Sequence, residues 1–264
     1  MTILQLLLIA IVQGISEFLP ISSSGHLILI PYLTDFPDQG PMIDVAVHVG
    51  SLLAIILYFW RDVTGLARGG FASVGIGKDP QQTRLFWWVV VGTIPAVLLG
   101  LFLKMGGYLE SFRFTDLVAT NLIIYGLLLG AADRWGRQEK DFEDLTLRDA
   151  VLVGMAQALA LIPGTSRSGS TMTMARFLGY KRVEAARFSF LLAIPAVAGA
   201  GLLAVLDLAE ASAQMQADAL IAGVFTFIAA FATMAFLMNF LKRASMMVFV
   251  IYRVALGAVL LLAF

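Results

Sequence analysis

Between Gln13 and His26 the chain reads Gln-Gly-Ile-Ser-Glu-Phe-Leu-Pro-Ile-Ser-Ser-Ser-Gly-His, which places a carboxylate, an imidazole, an amide and four hydroxyls inside an apolar run from Ile3 to Leu33. A charged side chain at bilayer depth costs roughly 2.5 to 3.5 kcal/mol even on the lenient insertion scale, so such groups usually line a cavity and serve a substrate, ion or proton. The blander alternative is a polar seam that seals helix against helix. A second polar stretch, Pro163-Gly164-Thr165-Ser166-Arg167-Ser168-Gly169-Ser170-Thr171, breaks the apolar segment from Ala150 to Leu178.

The chemistry these residues favour is handling of a polyanion. Gln13 and Glu17 lie four apart and share one helix face, and Pro20 ends that helix. Ser22, Ser23 and Ser24 then offer capping hydroxyls to a new helix beginning near Gly25, His26 and Leu27, where free backbone N–H groups and the positive dipole end favour an anion. The second stretch repeats the design, with Ser166, Ser168 and Thr171 as hydroxyls and Gly169 letting a ligand approach the backbone. Arg167 adds a forked, permanently charged donor matched to phosphate oxygens; in the empty protein it can pair with Glu17. An anion transporter would need the donors but would gain little from a hydroxyl, a carboxylate and an imidazole so close together. Phosphoryl transfer uses all three: a serine attacks phosphorus, a base takes its proton, and donors stabilise the equatorial oxygens. His26 suits acid–base work because its unperturbed pKa lies near neutrality.

The elements that must position these groups belong to a membrane protein. Of 264 residues, 59% are hydrophobic and only 14% charged, with mean hydropathy +0.88. Runs near the ~20 residues that a bilayer requires recur at about 42–60, 85–104, 115–132, 187–207, 219–241 and 245–264. The two polar-broken segments instead read as pairs of short helices with an elbow between them, the pattern of a re-entrant hairpin. Basic residues test this layout. If both hairpins enter and leave on one side, loops 61–84, 133–149, 176–187 and 242–243 share a face, and 34–41, 104–114 and 207–218 share the other. Of 18 Lys and Arg, only Lys104 and Arg113 fall on the second face, and Arg167 and Arg253 lie within segments. The first face is therefore expected to be cytoplasmic, with both termini outside. The first hairpin then enters from outside and the second from the cytoplasm.

This inversion has a sequence echo. Gln13, Ser22, Ser24 and Gly25 are answered by Gln157, Ser166, Ser168 and Gly169 at one offset of 144 residues, and Ser51–Ile55 resembles Phe190–Ile194 at nearly the same distance. The predicted fold class is an all-α integral membrane protein with six transmembrane helices and two re-entrant helix–loop–helix hairpins in inverted-topology repeats. No linker divides it, so residues 1–264 are expected to form one domain, with repeat one at about 1–132 and repeat two at about 149–264. Gly65 to Gly77 reads as a loose loop, and the first segment, lacking a basic leader, as a retained helix. The absence of cysteine excludes disulfides and thiolate metal sites, and with only His26 and His48 a histidine-rich zinc site is excluded too. A divalent metal held by carboxylate and phosphate oxygens fits. His48 reads as an interhelical hydrogen-bonding group and Arg253 as the partner of a buried carboxylate.

The motifs quoted above resemble those of the bacterial undecaprenyl-pyrophosphate phosphatases of the bacitracin-resistance type, and the resemblance spans essentially the whole chain. Gln13 to His26 is similar to that family's Glu/Gln-x-x-x-Glu and Ser/Thr-Gly-His elements. Pro163 to Thr171 is similar to its Pro-Gly-x-Ser-Arg-Ser-Gly-x-Thr element. The resemblance implies hydrolysis of a C55 polyprenyl pyrophosphate to the monophosphate carrier and inorganic phosphate, for cell-wall synthesis and bacitracin resistance, with Mg²⁺ or Ca²⁺ assisting. It implies Glu17, Ser23, His26 and Arg167 as catalytic residues, with Ser23 as nucleophile and Glu17 also the metal ligand. Gln13, Ser22, Ser24, Gly25, Ser166, Ser168, Gly169 and Thr171 are then the substrate-binding set. It further implies the bacterial inner membrane, a site facing outward, no nucleic acid, and room for a homodimer. Some members carry a second glutamate where this chain has Gln13, which cannot act as a base. Type-2 phosphatidic acid phosphatases share Ser24-Gly25-His26 but need a second histidine after their Ser-Arg motif, and none follows His48 here.

Overall fold

The computed structural model describes every residue except 35, 38, 108–113, 210 and 264. It is helical throughout: among the described residues there is no strand, only an isolated bridge between Lys140 and Tyr180. Among the described residues four helices are long and apolar enough to cross a membrane: α3 (Gly40–Tyr58), α5 (Pro80–Met105), α6 (Thr115–Trp135) and α10 (Ala213–Leu241). Two more flank them, α9 (Arg182–Ala209) and the 17-residue α11 (Met247–Ala263). The polar-broken segments form two pairs of short helices, α1 (Ile3–Ser16) with α2 (Ser23–Leu33) and α7 (Leu147–Leu159) with α8 (Arg167–Phe177). The chain is thus an all-α, multi-pass membrane protein.

The packing pairs like with like. The first short helix, α1, lies on α10, and its counterpart α7 lies on α5, while α3 meets α9 and α6 meets α11. Close approach in the first two pairs depends on glycine. A Cβ on Gly14 of α1 would stand 2.6 Å from the Ala229 Cβ of α10, and one on Gly154 of α7 would run into the Gly92 carbonyl of α5. With no hydrophobic driving force between helices inside a bilayer, such small-residue contacts supply the packing. Gly154→Val should therefore lower stability by about 1 to 3 kcal/mol, the usual cost of overpacking, read as a lowered thermal midpoint in detergent. An unchanged midpoint would contradict this packing.

One expectation is corrected here. Residues expected to form a loose loop instead begin as an amphipathic helix, α4 (Trp60–Ser73), packed on α5. Gly65 and Gly69 are four apart and face Gln82, Gly69 against its main chain. These glycines mark a close helix contact, not a chain break, and spacing alone does not separate the two uses.

The basic loops gather at one end of the bundle, where they are tied by ion pairs. Asp133 accepts from Arg182 Nε and Nη2 at 2.6 and 3.0 Å and from the Met246 amide at 2.9 Å. Arg187 forks onto Asp62, and Arg176, fully buried, donates to the carbonyls of Arg137, Tyr180 and Gly136. Lys140 and the Tyr180 hydroxyl both donate to Asp149, at 3.1 and 2.7 Å. Burial and this carboxylate push the Tyr180 phenol pKa up.

Candidate active site

Each elbow is built around a serine in a backbone conformation that L-residues rarely adopt. Ser22 has φ +76° and Ser166 φ +73°, the only non-glycine residues at positive φ among those described. Such a conformation costs on the order of 1 to 3 kcal/mol and persists only where the surroundings impose it. Both serines are N-caps: Ser22 Oγ accepts from the Gly25 amide at 3.4 Å and Ser166 Oγ from the Gly169 amide at 3.1 Å. Each also meets the second hydroxyl along, Ser24 or Ser168, at 3.3 Å. The first residue of each following helix is Ser23 in one elbow and Arg167 in the other.

These two equivalent positions converge on one carboxylate. Ser23 Oγ donates to Glu17 Oε2 at 2.6 Å, and Arg167 Nη2 donates to Glu17 Oε1 at 2.7 Å. Gln13 Nε2 adds a third bond, to Oε2 at 3.1 Å. Glu17 is buried at 7% exposure, so its charge is held by Arg167 and these hydrogen bonds rather than by water. Two polar atoms beside it, Arg167 Nη1 and Gln13 Oε1, are buried with no partner among the described residues. An unpaired guanidinium nitrogen in a buried site is costly unless a ligand completes it.

The remaining candidate residues divide. The Ser168 hydroxyl lies 3.2 Å from the Glu17 carbonyl and 3.1 Å from that of Leu19, stitching elbow to elbow, and Thr171 bonds the Arg167 carbonyl and Ser189. Ser24 is exposed. Gly25 and Gly169 sit against the cap serines, and a Cβ at Gly169 would meet Arg253 at 2.6 Å. His26 lies apart from the Glu17 network. Its Nδ1 donates to the Ser22 carbonyl at 2.7 Å, and its Nε2 meets the Tyr252 hydroxyl at 2.6 Å.

Three residues enter the site that its motifs did not announce. His48 reaches between helices, but toward the site carboxylate: its Nδ1 donates to the Asp44 carbonyl of its own helix at 2.6 Å, and its Nε2 lies 3.9 Å from Glu17 Oε2 at the end of α1. Among the described residues Arg253 pairs with no carboxylate. It is fully buried and donates to the Pro20 carbonyl of the first elbow, the Gly164 and Thr165 carbonyls of the second, and Leu122 and Asn121 of α6. Asn121 itself bonds the Pro163 carbonyl at 2.8 Å. The Tyr252 ring lies nearly coplanar with that of His26, edge to edge through the hydroxyl, with ring centroids 5.6 Å apart and planes within 6°. Arg253 was visible as a charge in an apolar run, but nothing local tells that its partners are carbonyls far away in the chain.

Among the described residues no three His, Asp or Glu side chains gather where a metal could sit. The protein's offer to a hard cation is the Glu17 carboxylate and the unpartnered Gln13 Oε1 beside it. Because Mg²⁺ and Ca²⁺ take six or more oxygens, the rest would come from substrate and water. The donor set fits a cation that arrives with its phosphate.

A polytopic helical membrane protein with a buried serine–carboxylate–arginine centre is therefore the class that fold and site define. The sequence profile described as bacitracin resistance protein BacA matches residues 6–259, and the chain belongs to that family. It is similar to the undecaprenyl-diphosphatase of Erythrobacter litoralis (strain HTCC2594), 66% identical with both chains covered in full. The undecaprenyl-diphosphatases of Alteromonas mediterranea and Jannaschia sp. (strain CCS1) are 49% and 48% identical, each alignment covering 99% of this chain and 98% of the relative.

Proposed function

We propose that this protein is a membrane phosphatase that hydrolyses undecaprenyl diphosphate to undecaprenyl phosphate and inorganic phosphate, recycling the carrier lipid for cell-wall synthesis and so conferring bacitracin resistance. The observation that carries this reading is the Glu17 carboxylate, with a serine hydroxyl on one oxygen and an arginine on the other, and with that arginine's second nitrogen unpartnered. Ser23 Oγ attacks the terminal phosphorus as its proton passes to Glu17 Oε2. The bond from phosphorus to the bridging oxygen breaks, and the lipid monophosphate leaves with that oxygen. Water then attacks the phosphoserine, which releases phosphate and returns the proton to Ser23. Arg167 Nη1 and the amides that open α2 and α8 are placed to hold the phosphoryl oxygens as charge builds on them. His26, hydrogen-bonded to the Ser22 carbonyl of the same elbow, is the acid–base group for the departing phosphate and the incoming water. Mg²⁺ or Ca²⁺, held by Glu17 with Gln13 Oε1, would supply further charge neutralisation at the diphosphate.

In this reading the chain is one domain of two inverted repeats, at about 1–132 and 149–264, with six spanning helices. The pairs α1–α2 and α7–α8 are hairpins that re-enter from opposite leaflets. The matched caps and the matched packing of α1 on α10 and α7 on α5 support it. The crowding of basic residues at one end supports placing that end in the cytoplasm of a bacterial inner membrane, with both termini and the site facing outward. The test is phosphate release from a polyprenyl diphosphate by purified protein in detergent, with and without a chelator. Release that the chelator abolishes and added Mg²⁺ or Ca²⁺ restores is the expected result. Lipid binding without release would instead identify a transporter or carrier.

A further inference from the structure

We infer that Tyr252 is a positioning residue for His26. This rests on the reading of His26 as the acid–base group of the reaction. The imidazole has two nitrogens, and one is already committed: a carbonyl can only accept, so Nδ1 facing the Ser22 carbonyl at 2.7 Å carries a hydrogen. Nε2 is the only ring atom left to exchange a proton, and the Tyr252 hydroxyl stands on it at 2.6 Å. The contact is not a glancing one, because the rings lie nearly parallel. A phenol suits this place in both protonation states. It donates to Nε2 of the neutral ring, and its oxygen accepts from Nε2–H of the imidazolium, so the ring is held in one orientation in either state until a substrate or water oxygen takes the phenol's place at Nε2 and exchanges the proton there. Both residues remain partly exposed, so the pair borders the space that a substrate must enter. Arg253, the next residue along α11, anchors this stretch to both elbows, which holds the phenol in register with the imidazole.

His48 also commits Nδ1 to a carbonyl, but its Nε2 faces the Glu17 carboxylate at 3.9 Å and not a phenol, so the two histidines can be told apart. The test compares Tyr252→Phe, His26→Asn and the double variant in the full-length detergent-solubilised protein. It measures kcat and KM for polyprenyl diphosphate and the ¹⁵N spectrum of labelled histidine, in which the His26 signals are those missing from His26→Asn. Phenylalanine keeps the ring and removes only the hydroxyl. The expected result is a kcat lowered about 10- to 100-fold, KM within about twofold, a displaced His26 Nε2 resonance, and a double variant no slower than His26→Asn alone. If Tyr252→Phe turns over like the parent while His26→Asn is inactive, the inference falls and the role of His26 stands. If kcat falls but the His26 resonance does not move, Tyr252 acts by another route and the inference also falls. If His26→Asn is itself fully active, the acid–base reading of His26 fails, and the inference fails with it.

Discussion

Ser23→Ala should bind lipid diphosphate as the parent does yet release phosphate at least about 10³-fold more slowly, the scale of loss when a nucleophile acting with its base is removed. The geometry separates this serine from its neighbours. Of the three consecutive serines, Ser23 alone donates to the Glu17 carboxylate; Ser22 is spent on the cap and Ser24 lies exposed. Ser24→Ala should therefore cost little. Ser22→Ala should act through stability, because it removes the cap while leaving a non-glycine residue at positive φ. Rapid-quench phosphate release paired with a binding titration distinguishes these outcomes. Release by Ser23→Ala within tenfold of the parent would mean that water, not serine, makes the attack.

The second large effect is on folding. Arg253→Met should destabilise the protein by about 3 to 5 kcal/mol, the cost of breaking a buried, fully satisfied charged group, and should remove activity as well. Methionine approximates the volume, but it leaves carbonyls of both elbows and of α6 without their donor. Arg253→Lys should recover little, because an ammonium lacks the flat fork that reaches several carbonyls at once. Thermal unfolding in detergent alongside turnover checks this. An Arg253→Met protein with parental stability would mean that the elbows hold themselves together.

How much of this could be read beforehand follows from how local each signal is. Both elbows were legible because proline, glycine and runs of serine are conspicuous inside apolar segments, and because a cap is written within a few residues of the helix that it opens. The meeting of Arg167 with Glu17 followed from setting the two elbows in opposition. The roles of Tyr252, Arg253 and His48 were not legible. Each is a single polar residue in an apolar helix, and its partner is fixed by tertiary packing across more than half the chain or by one helix turning toward another. Gly65 and Gly69 failed for a different reason, since glycine serves both chain breaks and close helix contacts. The difference between the elbows was visible but unread. At the shared offset Glu17 is matched by Leu161 and Ser23 by Arg167, so one elbow carries the carboxylate and the hydroxyl that meets it and the other the guanidinium that pairs with that carboxylate.

The hold of Arg253 on both elbows also bears on how the protein is made. Its helix follows the other described helices in the chain, whereas the Pro20 carbonyl that it satisfies lies between α1 and α2. Until α11 docks, both bends must wait in the membrane with polar backbone uncovered. Docking of α11, not insertion of the earlier segments, is then the step that closes both elbows, and a product shortened before residue 253 would present quality-control proteases with two open elbows.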